Sequence, residues 1–98
     1  MGIVFEWDSR KAKSNYAKHG VSFEEASTIF GDLLSLTIAD PFHSRPAEDR
    51  FVTIGNSYRG RLLVVAHRDQ GDNIRIISAR KASRRERKDY EEGLQANR

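Results

Sequence analysis

Two apolar runs, Leu62–Ala66 and Ile74–Ala79, are separated by the polar stretch Asp69-Gln70-Gly71-Asp72-Asn73. That pattern predicts a β-hairpin. Its first strand, Arg61 to His67, ends in a titratable imidazole, and its second ends in Arg80 and Lys81. Upstream, Arg50 to Gly55 reads as a further strand, with Phe51 and Thr53 opposite Arg50, Val52 and Ile54. Leu33 to Ala39 alternates well enough for another, placing Leu34, Leu36 and Ile38 on one face. A short run of β-formers, Ile3 to Trp7, predicts a first strand.

Helical signals lie between and after these runs. Asp8 is an expected N-cap for a helix from Ser9 to His19, closed by Gly20. Its apolar face is thin (Ala12, Tyr16 and Ala17), and Arg10, Lys11, Lys13 and Lys18 cover much of the rest. Ser22 and Glu25 have capping-box spacing, with Val21 able to staple onto Ala26. Phe23, Ala26 and Phe30 then share a face, and Gly31 ends that helix. Ser83 and Glu86 form a second box, opening a helix to about Gly93 with Arg87, Tyr90, Glu91 and Leu94 on one face. A polar loop over residues 40–49, bracketed by Asp40-Pro41 and Arg45-Pro46, holds His43.

The order β-α-α-β-β-β-β-α predicts an α+β fold in one domain over residues 1–98, with 93–98 a frayed tail. A curved antiparallel sheet is expected, covered by helices on one face and open on the other. The 98-residue length allows a modest core. No apolar stretch approaches the ~20 residues of a membrane span, and MGIVFEWD lacks a signal-peptide core. Cysteine is absent, which excludes disulfides, thiolate zinc sites and thiol nucleophiles and suits a cytoplasmic protein.

The net charge is +3, and residues 80–98 carry all of it, with seven Lys/Arg against four Asp/Glu. Such a patch attracts phosphate backbones or an acidic partner, while a solvated helix laced with ion pairs is the plainer reading.

RNA cleavage without a metal needs a base for the 2′-OH, cations for the phosphorane and an acid for the leaving 5′-oxygen. Histidine suits the proton transfers, and arginine suits the phosphate because its fork matches two oxygens. His67 alone reads as a strand-end histidine and Arg80 as a surface cation; His67, Arg75, Arg80, Lys81 and Tyr90 together bring the functional reading level with that plainer one. Both hairpin strands are apolar on both phases, so the face that meets the core stays open. Antiparallel pairing directs His67 and Arg80 toward opposite edges, which leaves Arg50 or Arg75 as nearer companions. Lys18-His19 is a second candidate, although a cationic pair at a helix C-terminus has its own structural reason. His19, His43 and His67 lack metal-ligand spacing, and no cofactor motif appears. A helix-turn-helix across Gly20 would offer Phe23, Glu24 and Glu25 to DNA, and those carboxylates would repel phosphates.

FEWDSRKAKSNYAKHGVSFEEASTIFGD, RFVTIGNSYRGRLLVVAHRD and IRIISARKASRRERKDYEEG resemble the BrnT family of bacterial toxins, from about Phe5 to Gly93. The resemblance implies a RelE-like ribonuclease fold, mRNA cleavage that arrests translation, and neutralisation by a BrnA-like antitoxin. It also implies a toxin–antitoxin heterotetramer in which the antitoxin alone binds promoter DNA. Lys11, Lys18, His19, Arg50, His67, Arg80 and Tyr90 match positions that could carry activity. The expected roles are His67 as acid or base, Arg50 and Arg80 on the phosphate, and Tyr90 orienting the site. Lys11, Lys18, His19, Arg75 and Lys81 are expected to bind substrate. A non-catalytic module binding nucleic acid or antitoxin is the competing reading.

Overall fold

The computed structural model describes residues 3–40 and 50–96. In chain order these form β1 (Val4–Glu6), α1 (Ser9–His19), α2 (Phe23–Ser27), a 3-10 turn (Thr28–Gly31), β2 (Leu36–Ala39), β3 (Arg50–Asn56), β4 (Leu62–Gln70), β5 (Asn73–Lys81) and α3 (Arg84–Ala96). His43 and the rest of its loop, 41–49, lie outside the described residues.

The helix ends follow from their capping residues. Asp8 accepts from the amides of Arg10 at 2.8 Å and Lys11 at 3.2 Å, which satisfies donors that the first turn of α1 leaves free. Gly20 stops the helix at φ 69°, a left-handed conformation that suits a residue without Cβ. Ser22 caps α2 through the amide of Glu25 at 3.0 Å. The expected box forms only by half there, because the Glu25 carboxylate points inward. It accepts from Ser57 Oγ at 2.7 Å and from Arg61 Nε at 2.8 Å, and Arg61 Nη2 holds its other oxygen. Ser83 and Glu86 complete the reciprocal box, at 3.2 and 2.9 Å.

The sheet has the order β1-β5-β4-β3-β2 and is mixed, not wholly antiparallel as expected. β1 runs parallel to β5, with Val4, Phe5 and Glu6 beside Asn73, Ile74 and Arg75. These strands are far apart in sequence, so no hairpin forces their direction. The other neighbours are antiparallel.

Cross-strand partners share a face. Leu63, Val65 and His67 of β4 share theirs with Thr53, Ile76 and Ala79. This face meets Val21, Phe23, Ala26 and Ile29, and Phe5, Trp7, Ala12 and Phe30 pack around the resulting core. β5 carries a bulge here: Ala66 pairs with Ser78 and His67 with Ile76, which leaves Ile77 as the extra residue. The bulge shifts the side-chain phase. Ile76 and Ala79 both reach the core, and Arg80 turns to the opposite face.

Helices flank both faces, which corrects the expectation of one covered side. Leu36, Ile38, Val52, Ile54 and Val64 line a groove together with Glu86, Asp89 and Tyr90 of α3. These strand residues are too apolar to be left wholly to water, and α3 partly covers them. Its inward side is therefore not the Arg87–Glu91 stripe; both of those residues are exposed. Gly93 permits the close approach, since a Cβ there would come within 2.8 Å of Leu36 Cδ1.

Beyond Arg75, the outer edge of β5 is met by a side chain. Asn15 Nδ2 donates to the Ala79 carbonyl at 2.8 Å, and its Oδ1 accepts from the Ala79 amide at 3.0 Å. Nδ2 also donates to the Val21 carbonyl at 3.0 Å. The carboxamide thus supplies the donor and acceptor of a missing strand. Asn15 is buried, whereas Tyr16, expected on the thin apolar face of α1, is 60% exposed.

Asn15→Ala should lower stability by at least about 2 kcal/mol, because each buried polar group left unpaired costs about 1–3 kcal/mol. Asn15→Asp should also destabilise, since a carboxylate cannot donate to either carbonyl. Urea unfolding midpoints would measure both, and wild-type midpoints would show that α1 docks without this contact.

Candidate active site

The two faces of the sheet separate the residues that the sequence grouped together. His67 projects into the core and is 3% exposed. Its Nε2 lies 2.7 Å from Thr53 Oγ1, which in turn lies 2.7 Å from Thr37 Oγ1. Phe51 stacks on the ring with centroids 5.9 Å apart, and Phe30 meets it edge-on at 4.9 Å. Burial pushes the imidazole below its ordinary pKa, against a weaker opposing pull from Asp69, whose Oδ1 is 3.8 Å from Nδ1. Burial thus favours the uncharged form of the ring. It lies on the face opposite to the one that carries Arg50, Arg75 and Arg80.

Arg50, Arg75 and Arg80 do share a face, the one that α3 partly covers. Arg80 pairs with Val64 across the strands, while Arg50 and Arg75 both pair with Arg68. Arg68 was missed in the sequence because it follows His67 into a polar stretch that reads as a turn. β4 in fact continues to Gln70. Between the Arg68 row and Arg80 lies a floor of Val52, Ala66 and Ser78.

Arg80 does not stand alone. Its Nη1 and Nη2 each donate to Glu86 at 2.7 Å, a bidentate match of fork to carboxylate. The pairing holds Glu86 down at about 2, helped by the Ser83 amide, and raises Arg80 above its ordinary value. Arg75 Nη1 donates to Glu6 at 3.2 Å, and Arg50 Nε is 3.8 Å from Asp40.

Tyr90 is buried and fastened at the base of α3. Its hydroxyl donates to Asp32 Oδ2 at 2.7 Å and accepts from Asn56 Nδ2 at 3.3 Å. Burial and then the Asp32 carboxylate push the phenol up. Asp32 also accepts from the amides of Asn56 and Leu34 at 2.9 Å each; burial raises its pKa, and the bonds from Asn56, Tyr90 and Leu34 together outweigh that and lower it. Tyr90 therefore orients α3 over the groove, a cavity of about 390 Å³.

The remaining predicted residues lie elsewhere. Lys11, Lys18 and His19 line a shallow depression of about 210 Å³ between α1 and the bulge at Ile77 and Ser78. Lys81 is exposed at the end of β5, paired with Leu63. Among the described residues, no cluster of three His, Cys, Asp or Glu could hold a metal ion.

A family model described as the ribonuclease toxin BrnT of a type II toxin–antitoxin system matches residues 7–86. The match contains Arg50, Arg68, Arg80 and Glu86 and stops short of Tyr90. The 1.1 Å crystal structure of the Brucella abortus ribonuclease toxin BrnT is similar, with 26% identity and a TM-score of 0.63. The likeness covers 85% of this chain and 100% of that one. No curated protein sequence matches.

His67 carries a pH signature. The unfolded chain takes up a proton near 6.5, whereas the buried ring resists it, so the stability present above that pH is lost as pH falls below it. The urea midpoint should therefore drop between pH 7.5 and 5.5, a range above the carboxylate titrations, and His67→Gln should flatten the drop. Equal slopes in both proteins would mean that the ring protonates freely when folded.

Proposed function

The chain belongs to the BrnT family of ribonuclease toxins of type II toxin–antitoxin systems, and from that premise we propose a metal-independent endoribonuclease that cleaves mRNA and so arrests translation. A BrnA-like antitoxin neutralises it in a heterotetramer, and promoter DNA is reached only through that antitoxin. The site of action is the cytoplasm; no helix among the described residues is long and apolar enough to cross a membrane.

One observation supports the reading most: the Arg80–Glu86 pair stands over the open sheet face, joining a permanent cation to a titratable carboxylate. A scissile phosphate presents Arg80 with the same two-oxygen pattern that Glu86 now fills. When Arg80 turns to the phosphate, it stabilises charge on the phosphorane. Glu86 then loses the partner that holds its pKa near 2, and it becomes a better base for the 2′-OH. The nucleophile's oxygen attacks phosphorus, its proton passes to Glu86, and the 5′-oxygen leaves with a proton from solvent or a neighbouring group. Arg50 and Arg75 hold flanking phosphates. Tyr90 acts as a positioning residue through Asp32 and Asn56. Lys11, Lys18, His19 and Lys81 lie beyond the groove and contact the RNA further along. His67 serves the site indirectly, by fixing β3 to β4 through Thr53; its expected part in proton transfer gives way to Glu86.

Purified protein should cut single-stranded RNA in EDTA. Arg80→Ala should slow cleavage by roughly 10²–10³-fold, and Glu86→Gln by roughly 10²-fold or more. Lys88→Ala, on the outer side of α3, should cut at the wild-type rate. Wild-type protein that binds RNA with a steep salt dependence yet leaves no products would favour the non-catalytic binding module.

A further inference from the structure

Three arginines stand side by side on adjacent strands: Arg50 on β3, Arg68 on β4 and Arg75 on β5. Neighbouring strands lie about 4.8 Å apart, so the row spans roughly 10 Å. Like charges in cross-strand register oppose folding unless something offsets them. The outer two have carboxylates beside them, Asp40 near Arg50 and Glu6 on Arg75. Among the described residues, the middle one has no counter-ion. Arg68 Nε is buried and, among the described residues, donates to nothing, an arrangement that costs free energy when no acceptor arrives.

We propose that Arg68 is the central ligand of a phosphate-binding row for single-stranded RNA crossing the open face between Arg50 and Arg75. The inference rests on the ribonuclease reading and adds the track along which substrate lies. Strand pairing continues from this row to a floor of Val52, Ala66 and Ser78, and then to Arg80. Ala66 and Ser78 are small, so a sugar-phosphate chain can settle between the two cationic positions. Arg68 and Arg80 are four residues apart in cross-strand register, which is roughly 13 Å of strand. Phosphates on the row would thus lie upstream or downstream of the scissile one at Arg80. A single acidic side chain would satisfy one guanidinium. An evenly spaced row suits a repeating polyanion.

A fluorescent 2′-O-methyl RNA oligonucleotide, which cannot be cleaved, separates binding from chemistry. Arg68→Ala should weaken its binding roughly tenfold at 0.1 M salt. The slope of log K against log salt should fall by roughly 0.7, the value for one phosphate contact on a single strand. Arg68→Lys should restore the slope and part of the affinity. Neither variant should melt far below wild type, since the buried Nε has no hydrogen bond to lose. Wild-type affinity and slope in Arg68→Ala, beside intact RNA binding and cleavage by wild type, would overturn this inference alone. A large fall in melting temperature for both variants would also overturn it, by making Arg68 a structural residue. Failure of the wild-type protein to bind the oligonucleotide sinks both this inference and the ribonuclease reading. Binding of an oligoglutamate peptide in its place would assign the row to a protein partner.

Discussion

A strand that lacks a neighbour must find donors and acceptors elsewhere, and β5 meets that requirement in two different ways along one edge. β1 covers Asn73 to Arg75, and the Asn15 carboxamide covers Ala79. The bulge at Ile77 lies between these two partners, where neither dictates a regular register. Its consequence reaches across the sheet. Without the extra residue, Arg80 would share the face of Ile76 and enter the core. With it, Arg80 emerges beside Val64 on the face that α3 leaves partly open. The placement of Arg80 thus depends on one extra residue in β5.

Two further polar clusters hold the elements around this sheet. Glu25 is buried, and Arg61 and Ser57 surround it, tying α2 to the turn between β3 and β4. Such a pair is a commitment more than a gain: desolvation offsets much of its attraction, and removing one partner strands the other. Asp32 plays the same part on the opposite side, collecting Tyr90, Asn56 and Leu34 and so setting where α3 lies. Each carboxylate sits below its ordinary pKa for this reason, and each loses its contribution as acid protonates it.

Much of this was legible from local rules. Asp8, Gly20, Ser22, Ser83 and Glu86 mark helix ends because capping needs only a few consecutive residues. The hairpin of β4 and β5 follows from two apolar runs and a Gly-containing turn. What escaped detection is non-local or depends on phase. The bulge has no glycine or proline to announce it, and both strands are apolar on either phase. Asn15 reads as one more polar residue on a polar helix, and its partner is 64 positions away. His67 lies at an apparent strand end only because Arg68, Asp69 and Gln70 look like a turn; extending β4 through them makes the histidine internal. The same error hid Arg68. The cations were recognisable as a set, but pairing alone decides which of them share a surface.

Glu86 serves two masters with one carboxylate. It closes the first turn of α3 through Ser83 and orients the Arg80 guanidinium. Free energies that meet on a single group are linked, so a change in either contact is felt by the other to the same extent. An anion that recruits Arg80 therefore loosens the start of α3, and a helix start held more firmly makes that anion harder to admit. Occupancy of the sheet and order in the helix become one variable.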